Sequence, residues 1–191
     1  MVNSCYNAIP QALLNKIHGL EIPWFSISTD YYSTGLKNPH SHTWVHLAFA
    51  DGVSVSPLGD FMEALALATL EKTGQDIDQL IRVRLGMHTC CPSSFVGGPH
   101  VDQETPHQTA LIYLNSADGN TILYNEKYDP KTGLGLYDYY RTALKHQVTV
   151  DQEITPEENK MIWFDGFQYH SSSSPTKSGR RMVININYTV K

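Results

Sequence analysis

Three residues of this chain have types and spacing suited to holding a redox-active metal ion. His100 and Asp102 are two apart, and in an extended segment such residues point to the same side. An imidazole and a carboxylate placed this way can both reach one ion. The third ligand must come from elsewhere in the fold. His170, 68 positions after Asp102 (170 − 102), is the best candidate, just beyond the apolar stretch Met161-Ile162-Trp163-Phe164. Two imidazoles and one carboxylate on one face of an octahedral ion leave three positions open for a cosubstrate and oxygen, the arrangement of non-haem iron(II) sites. His-x-Asp alone is a weak signal, because a lone pair of this kind is more often structural. The downstream context strengthens it. A turn rich in Ser, Pro and Gly follows His170 and leads to Arg180-Arg181 at the start of a β-rich stretch ending at Val190. The planar fork of a guanidinium binds both oxygens of a carboxylate. An oxoacid chelating the metal through its keto-acid end would meet such a group with its far carboxylate.

The elements that must position these residues divide the chain in two. In the first half, residues 10–19 are expected to form a short helix between Pro10 and Gly19. Residues 21–28 and 41–50 read as strands around a turn-rich stretch, 33–39. The clearest helix is predicted over 57–72, with Ser56 as N-cap, Pro57 at the first helical position and Gly74 after the end. The second half reads as consecutive strands over 80–87, 108–115, 120–125, 147–150, 160–165 and 181–190, separated by Gly, Pro, Ser or Asp. Residues 126–158 are less regular, with 137–144 a helical candidate, and Ser171–Ser174 reads as a serine-rich turn. The expected fold is mainly β (α+β): a jelly roll with supporting N-terminal helices. Over residues 181–190, alternation puts Arg181, Val183, Asn185 and Asn187 on one face. Two Asn there suit a polar cavity and not a dry core, so Asn185 is expected to line the cosubstrate pocket.

Composition narrows the class. The 191 residues fit a single domain, 1–191, with 1–80 as support and 81–191 as the core carrying the metal site. Net charge is −5, whereas a nucleic-acid partner more often requires a basic excess. Cys5, Cys90 and Cys91 make a poor disulfide framework and no zinc pair, which fits a reducing, cytoplasmic setting. Neither a signal peptide nor a membrane span is expected.

Five short blocks occur in order: Pro99-His100-Val101-Asp102, Ala110-Leu111-Ile112-Tyr113-Leu114-Asn115, Asp118-Gly119-Asn120-Thr121, Trp163-Phe164-Asp165-Gly166 with His170, and Ser178-Gly179-Arg180-Arg181. Together they resemble the 2-oxoglutarate/iron(II) dioxygenases, and most of all their prolyl-hydroxylase-like branch. The resemblance covers residues 82–190; the first 80 residues carry none. It implies a double-stranded β-helix with His100, Asp102 and His170 as iron ligands. It also implies that Arg181, in preference to Arg180, and Tyr113 bind the distal carboxylate of 2-oxoglutarate. The sequence departs from the branch where Cys91, not Tyr, precedes Pro92. The implied cofactors are iron(II), 2-oxoglutarate and oxygen, with ascorbate in support. The implied reaction couples oxidative decarboxylation of 2-oxoglutarate to hydroxylation of a C–H bond, in peptidyl proline or in a free amino acid or small metabolite.

Ring closure, desaturation or demethylation would need the same triad. A non-catalytic jelly-roll binding protein retaining the motif, and a nucleic-acid dealkylase, are the competing classes. Other chemistry-bearing residues have plainer readings. His40, His42 and His46 lack a nearby carboxylate or Cys for a second metal site, though they could line a substrate entrance. His88 and His107 are expected to be structural or to support the ligands. Arg82 and Arg84 alternate on a strand. A salt-bridged face is favoured over a substrate-carboxylate contact. Trp24, Trp44 and Trp163 are expected in the core, and Cys90-Cys91 has no neighbouring base to make a catalytic thiol.

Overall fold

The computed structural model describes residues 2–28, 42–132 and 148–191. The elements in chain order are β1 (Asn3–Tyr6), α1 (Gln11–His18), β2 (Phe25–Ser28), β3 (His42–Ala50), β4 (Val53–Ser54), α2 (Gly59–Leu70), β5 (Ile77–Thr89), β6 (Gln108–Tyr113), β7 (Thr121–Lys127), β8 (Val150–Ile154), β9 (Lys160–Asp165), β10 (Gln168–Ser172) and β11 (Arg180–Val190). Two antiparallel sheets result. The larger runs β1-β9-β6-β11-β5-β3-β2, with β4 on β3; the smaller runs β10-β7-β8. This is the expected jelly roll.

Period-two alternation assigns each face of the large sheet. Leu85 of β5, Ala110 and Ile112 of β6, Met161 and Trp163 of β9, and Met182, Ile184, Ile186 and Tyr188 of β11 face the helices. There they join Leu14 and Ile17 of α1 and Met62, Leu65, Ala66 and Leu70 of α2. The other face splits along the sheet. On the β6–β9 side, Leu111, Tyr113, Ile162, Phe164 and Val183 pack against Leu123 of β7 and Ile154 of β8 in a second core. On the β5–β3 side the same face bounds a cavity.

Register lays that inner face out in rows. Thr43, His88 and Arg181 form one; Val45, Gly86, Val183 and Tyr113 the next; Leu47, Arg84, Asn185 and Leu111 a third; Arg82, Asn187 and Thr109 a fourth. Residues directly opposite in antiparallel strands project to the same side, so charged and polar groups from three strands reach one space.

Several boundaries differ from the sequence expectation. The helix expected over 57–72 begins at Gly59, and Ser56 does not cap it; its Oγ instead accepts the Leu58 N–H and bonds His46 Nε2. A side chain at position 59 would collide with Ser54 and the Ala48 carbonyl, so glycine lets the first turn sit on β3–β4. After α2 a single 3-10 turn ends at Gly74 with φ 68°. The strand expected over 147–150 lies later, at Val150–Ile154. Ser171 and Ser172 belong to β10 and not to a turn. Pairing with β7 satisfies their backbone, and Tyr124 Oη bonds the Ser171 hydroxyl at 2.9 Å. The helix expected over 137–144 and residue His40 lie outside the described residues. Among the described residues, no helix is long and apolar enough to cross a membrane.

Beyond the pairing of β1 with β9, Asn159 pins the N-terminal segment to the jelly roll at Ile9. Asn159 has φ 62° and precedes β9. Its Oδ1 accepts the Ile9 N–H and its Nδ2 donates to the Ile9 carbonyl, both at 2.8 Å, while its own N–H donates to Tyr113 O. Ile9 is 1% exposed, so water cannot replace these bonds. Asn159→Ala should cost about 3 kcal/mol through two unsatisfied buried backbone groups and lower Tm by roughly 5–10 °C. Calorimetry showing a wild-type Tm would disprove this account of the segment's anchoring.

Candidate metal centre

The ligand cluster is assembled by a backbone clasp. The loop carrying His100 is joined by two isolated antiparallel bridges, Val96 with Ser173 just past β10 and His100 with His170 within it. The His100 N–H donates to His170 O at 2.8 Å and the His170 N–H to His100 O at 2.9 Å. This sets the two imidazoles 4.5 Å apart, centroid to centroid, tilted by 47°. His170 is also in register with Leu123, whose side chain faces the inter-sheet core, so its ring projects inward. Phe164 packs edge-on against it, centroids 5.2 Å apart. Asp102, two residues after His100, closes the cluster. The potential ligand atoms of His100, Asp102 and His170 all lie within 4.8 Å of one another.

The hydrogen bonds select the protonation state a metal requires. His100 Nδ1 faces the Gly98 carbonyl at 3.1 Å, and His170 Nδ1 faces the Gln168 carbonyl at 3.1 Å. A carbonyl only accepts, so each Nδ1 carries the proton and each Nε2 presents a lone pair. Burial, reinforced by the adjacent His170, pushes the His100 pKa down to about 4, which keeps it neutral at pH 7. His170 is 4% exposed. Its Nε2 has no hydrogen-bond partner and lies 3.7 Å from Asp102 Oδ2. An orphaned buried acceptor aimed at a carboxylate fits a bound cation, and two neutral imidazoles with one carboxylate form a donor set suited to iron(II).

Asp102 is the most heavily supported group. Arg82 Nη2 donates to its Oδ1 at 2.6 Å, and Asn185 Nδ2 and Asn187 Nδ2 each donate to its Oδ2 at 3.0 Å. Arg82 Nε in turn donates to Asn187 Oδ1 at 2.9 Å. Burial raises the carboxyl's pKa, but the Arg82 charge leads the opposing effects, which hold it well below the usual carboxylate range. The salt-bridged reading of Arg82 is what the structure displays, with the metal-site carboxylate as its partner. Asn185 lines the cavity, and its amide is directed at Asp102.

The triad opens into a cavity of about 330 Å³ with Arg181 and Thr121 also in its wall. Arg181 is 2% exposed; Arg180 lies on the exposed surface. Arg181 Nη2 donates to Thr121 Oγ1 at 2.7 Å, and its Nε has no partner. Among the described residues no carboxylate is within ion-pair distance of it. A buried cation without a counterion is costly, so the arrangement calls for an anionic ligand. Tyr113 lies behind this pair. Its hydroxyl donates to Thr121 Oγ1 at 2.8 Å and its ring centroid is 5.8 Å from the guanidinium carbon. Of the two hydroxyls, Thr121 and not Tyr113 lines the cavity, a role that sequence reasoning missed because the residue opens a strand and belongs to no metal-binding pattern.

The remaining histidines have mostly structural partners. His88 lies in the cavity wall between Thr43 Oγ1 and Ser172 Oγ. Burial and then the charges of Arg181 and Arg84 push its pKa down to about 3, so it is neutral. His107 Nδ1 bonds Thr105 O, and the ring fills the space left by Gly166. His46 is spent on Pro23 O and Ser56 Oγ on the helix side of the large sheet. That removes it from any shared metal site with His40 and His42.

No family model and no curated protein matches the sequence. Solved structures match the fold. An oxidoreductase of the 2OG-Fe(II) oxygenase family from Burkholderia pseudomallei aligns at TM-score 0.69 and 14% identity, over 98% of this chain and 84% of that one. HygX from Streptomyces hygroscopicus, with nickel and 2-oxoglutarate bound, aligns at TM-score 0.59 and 11% identity, over 100% and 83%. A prolyl hydroxylase from Trichoplax adhaerens, in complex with a hypoxia inducible factor peptide fragment, aligns at TM-score 0.53 and 11% identity, over 99% and 83%. What is shared with them is the jelly-roll fold.

Arg82→Leu tests the support of Asp102. It leaves a buried carboxylate without its cation and should cost about 3 kcal/mol at pH 7, read as a lower urea midpoint. The folded pKa of Asp102 lies below its unfolded value. Its stabilisation is therefore full above about pH 4 and lost as pH falls through the depressed folded pKa. The gap between wild type and variant should narrow below pH 4, and a gap equal at pH 7 and pH 3 would show that the pair does not act this way.

Proposed function

We propose that this protein is a non-haem iron(II), 2-oxoglutarate-dependent dioxygenase that hydroxylates a C–H bond. One observation carries the reading. A single cavity joins a His-Asp-His cluster to a buried guanidinium that lacks a carboxylate partner among the described residues. A keto acid with a distal carboxylate matches both ends: a chelating head for a metal and an anion for Arg181.

His100, Asp102 and His170 would hold iron, whose bound form supplies oxygen activation coupled to decarboxylation of 2-oxoglutarate into succinate and carbon dioxide. The protein's own groups do the positioning. Arg181 pairs with the far carboxylate, and the Thr121 hydroxyl, held by Tyr113, is the adjacent polar contact. Asn185 and Asn187 hold Asp102 at its oxygen nearest His170. Val45, Leu111 and Val183 give the cavity apolar wall that limits water. The prime substrate is a small molecule or a peptide, and ascorbate would support turnover by keeping iron reduced. Three free cysteines support a cytoplasmic, reducing setting. The whole chain acts as one oxygenase domain. A non-catalytic binding protein is the second reading; the complete ligand set with its tautomers fixed favours the enzyme.

Purified protein with iron(II), ascorbate and 2-oxoglutarate should form succinate slowly without prime substrate, and His100→Ala should abolish it. Arg181→Met should weaken 2-oxoglutarate binding about 100-fold, near 3 kcal/mol. Tyr113→Phe should weaken it only about fivefold, one neutral hydrogen bond's worth. Absence of both turnover and calorimetric binding of metal and 2-oxoglutarate by the wild type would move the assignment to the binding-protein reading.

A further inference from the structure

Gly86 is a glycine that the fold does not require. It lies inside the long strand β5, paired with Val183 of β11 on one side and Val45 of β3 on the other. Its φ is not positive; among the described residues the glycines in that region are Gly52 and Gly74. A Cβ at position 86 would meet, among the described residues, only Val183 Cγ2 at 3.4 Å, an ordinary van der Waals contact. At Gly59, Gly119 and Gly166 a Cβ would instead strike a neighbouring residue outright. Glycine inside a strand weakens it, because the unfolded chain loses more freedom and no side chain packs. Neither backbone conformation nor crowding offsets that loss at Gly86.

What Gly86 leaves is a gap in the cavity floor. Its row lies between the row of His88 and Arg181 and the row of Arg84 and Asn185. Asn185, and Asn187 one row further, hold Asp102. The ligand cluster and Arg181 therefore stand on opposite sides of the Gly86 row, and a molecule touching both must cross it. On β11 and β6 that crossing is closed, because Val183 and Tyr113 pack with Leu123, Ile154 and Phe164 in the second core. On β3 the Val45 side chain lines the cavity. Within the row, Gly86 alone carries no side chain. The gap is apolar, with a valine on each side and strand backbone beneath. Methylene groups suit it, whereas a hydroxylated or charged body would lose water there without gaining a partner.

We propose that Gly86 is a specificity-determining residue for the oxoacid. The methylene body of 2-oxoglutarate crosses the row against the β5 backbone at Gly86, between Val45 and Val183, while its two ends reach the ligand cluster and Arg181. This inference rests on the oxygenase reading above and names the position that admits its cosubstrate. A side chain at position 86 obstructs the passage of the oxoacid and leaves the metal ligands untouched. The same side chain strengthens the strand. Binding and stability therefore move in opposite directions, which a purely structural role for the glycine would not produce.

The test is calorimetry on the full chain loaded with manganese(II), with 2-oxoglutarate and oxalate as probes. Oxalate chelates the metal but has no body to cross the row. Gly86→Ala should weaken 2-oxoglutarate binding about fivefold or more, and Gly86→Val about a hundredfold. Both variants should bind oxalate within about twofold of wild type, as expected when the metal end is undisturbed. Gly86→Ala should melt no lower than wild type. If Gly86→Ala binds 2-oxoglutarate as tightly as wild type does, this inference is overturned and the oxygenase reading stands. An equal loss of oxalate affinity, or a Gly86→Ala chain that melts lower or does not fold, makes the glycine a structural requirement and overturns the inference too. Failure of wild type to bind 2-oxoglutarate beside manganese(II) overturns the oxygenase reading along with it.

Discussion

The two backbone hydrogen bonds between His100 and His170 are the constraint on which the site depends. The loop before β6 has no regular structure of its own to hold His100. The bridge ties it to β10, and β10 is held in turn by β7. Because each His exchanges both N–H and C=O with the other, ring separation is set by backbone geometry and not by side-chain flexibility. The same residues then direct their Nδ1 protons to carbonyls two positions back. One local motif thus fixes both the distance between the ligands and their tautomers.

Around this clasp the large sheet concentrates charge where sheets ordinarily pack dry. Three arginines and Asn185 from β5 and β11 line one cavity, with Asn187 buried behind them and Asp102 the single carboxylate among the described lining residues. Arg82 and the two Asn satisfy that carboxylate from three directions. Each partner compensates a desolvation that would otherwise destabilise the fold. The apolar second core under β7 and β8 lies beside this polar space and not beneath it. The inner face is therefore divided into a stabilising half and a binding half.

Much of this was legible in the residues. The strand alternation over 181–190 put Arg181, Val183, Asn185 and Asn187 together, and the structure places them on one face. His100 and Asp102 were readable from their spacing of two, and His170 from its place after an apolar strand. What sequence did not reveal was the partner of each group. Arg82 and Arg84 look equivalent as alternating residues on β5, yet register gives one to Asp102 and the other to the cavity edge. Register is a property of strand pairing between segments about a hundred positions apart, and no local pattern encodes it. Tyr113 and Thr121 show the same limit, since their hydrogen bond spans a turn between two sheets. The serines of β10 looked like a turn because composition reports solvent preference, whereas Tyr124 and the backbone of β7 satisfy them in the interior. The close approach of Gly59 to Ala48 and Ser54 at the start of α2 is similarly non-local.

The strand order carries a consequence for synthesis. β11 is the last strand in chain order, yet it lies at the middle of the large sheet between β5 and β6. Until it emerges, those two strands present unpaired edges, and Arg181, Asn185 and Asn187 are not yet made. A nascent chain lacking β11 therefore already carries His100, Asp102 and His170 in an unfinished scaffold with exposed β edges, a state prone to aggregation. Long-range pairings of this kind slow folding. Closure of the large sheet therefore waits for the β11 segment.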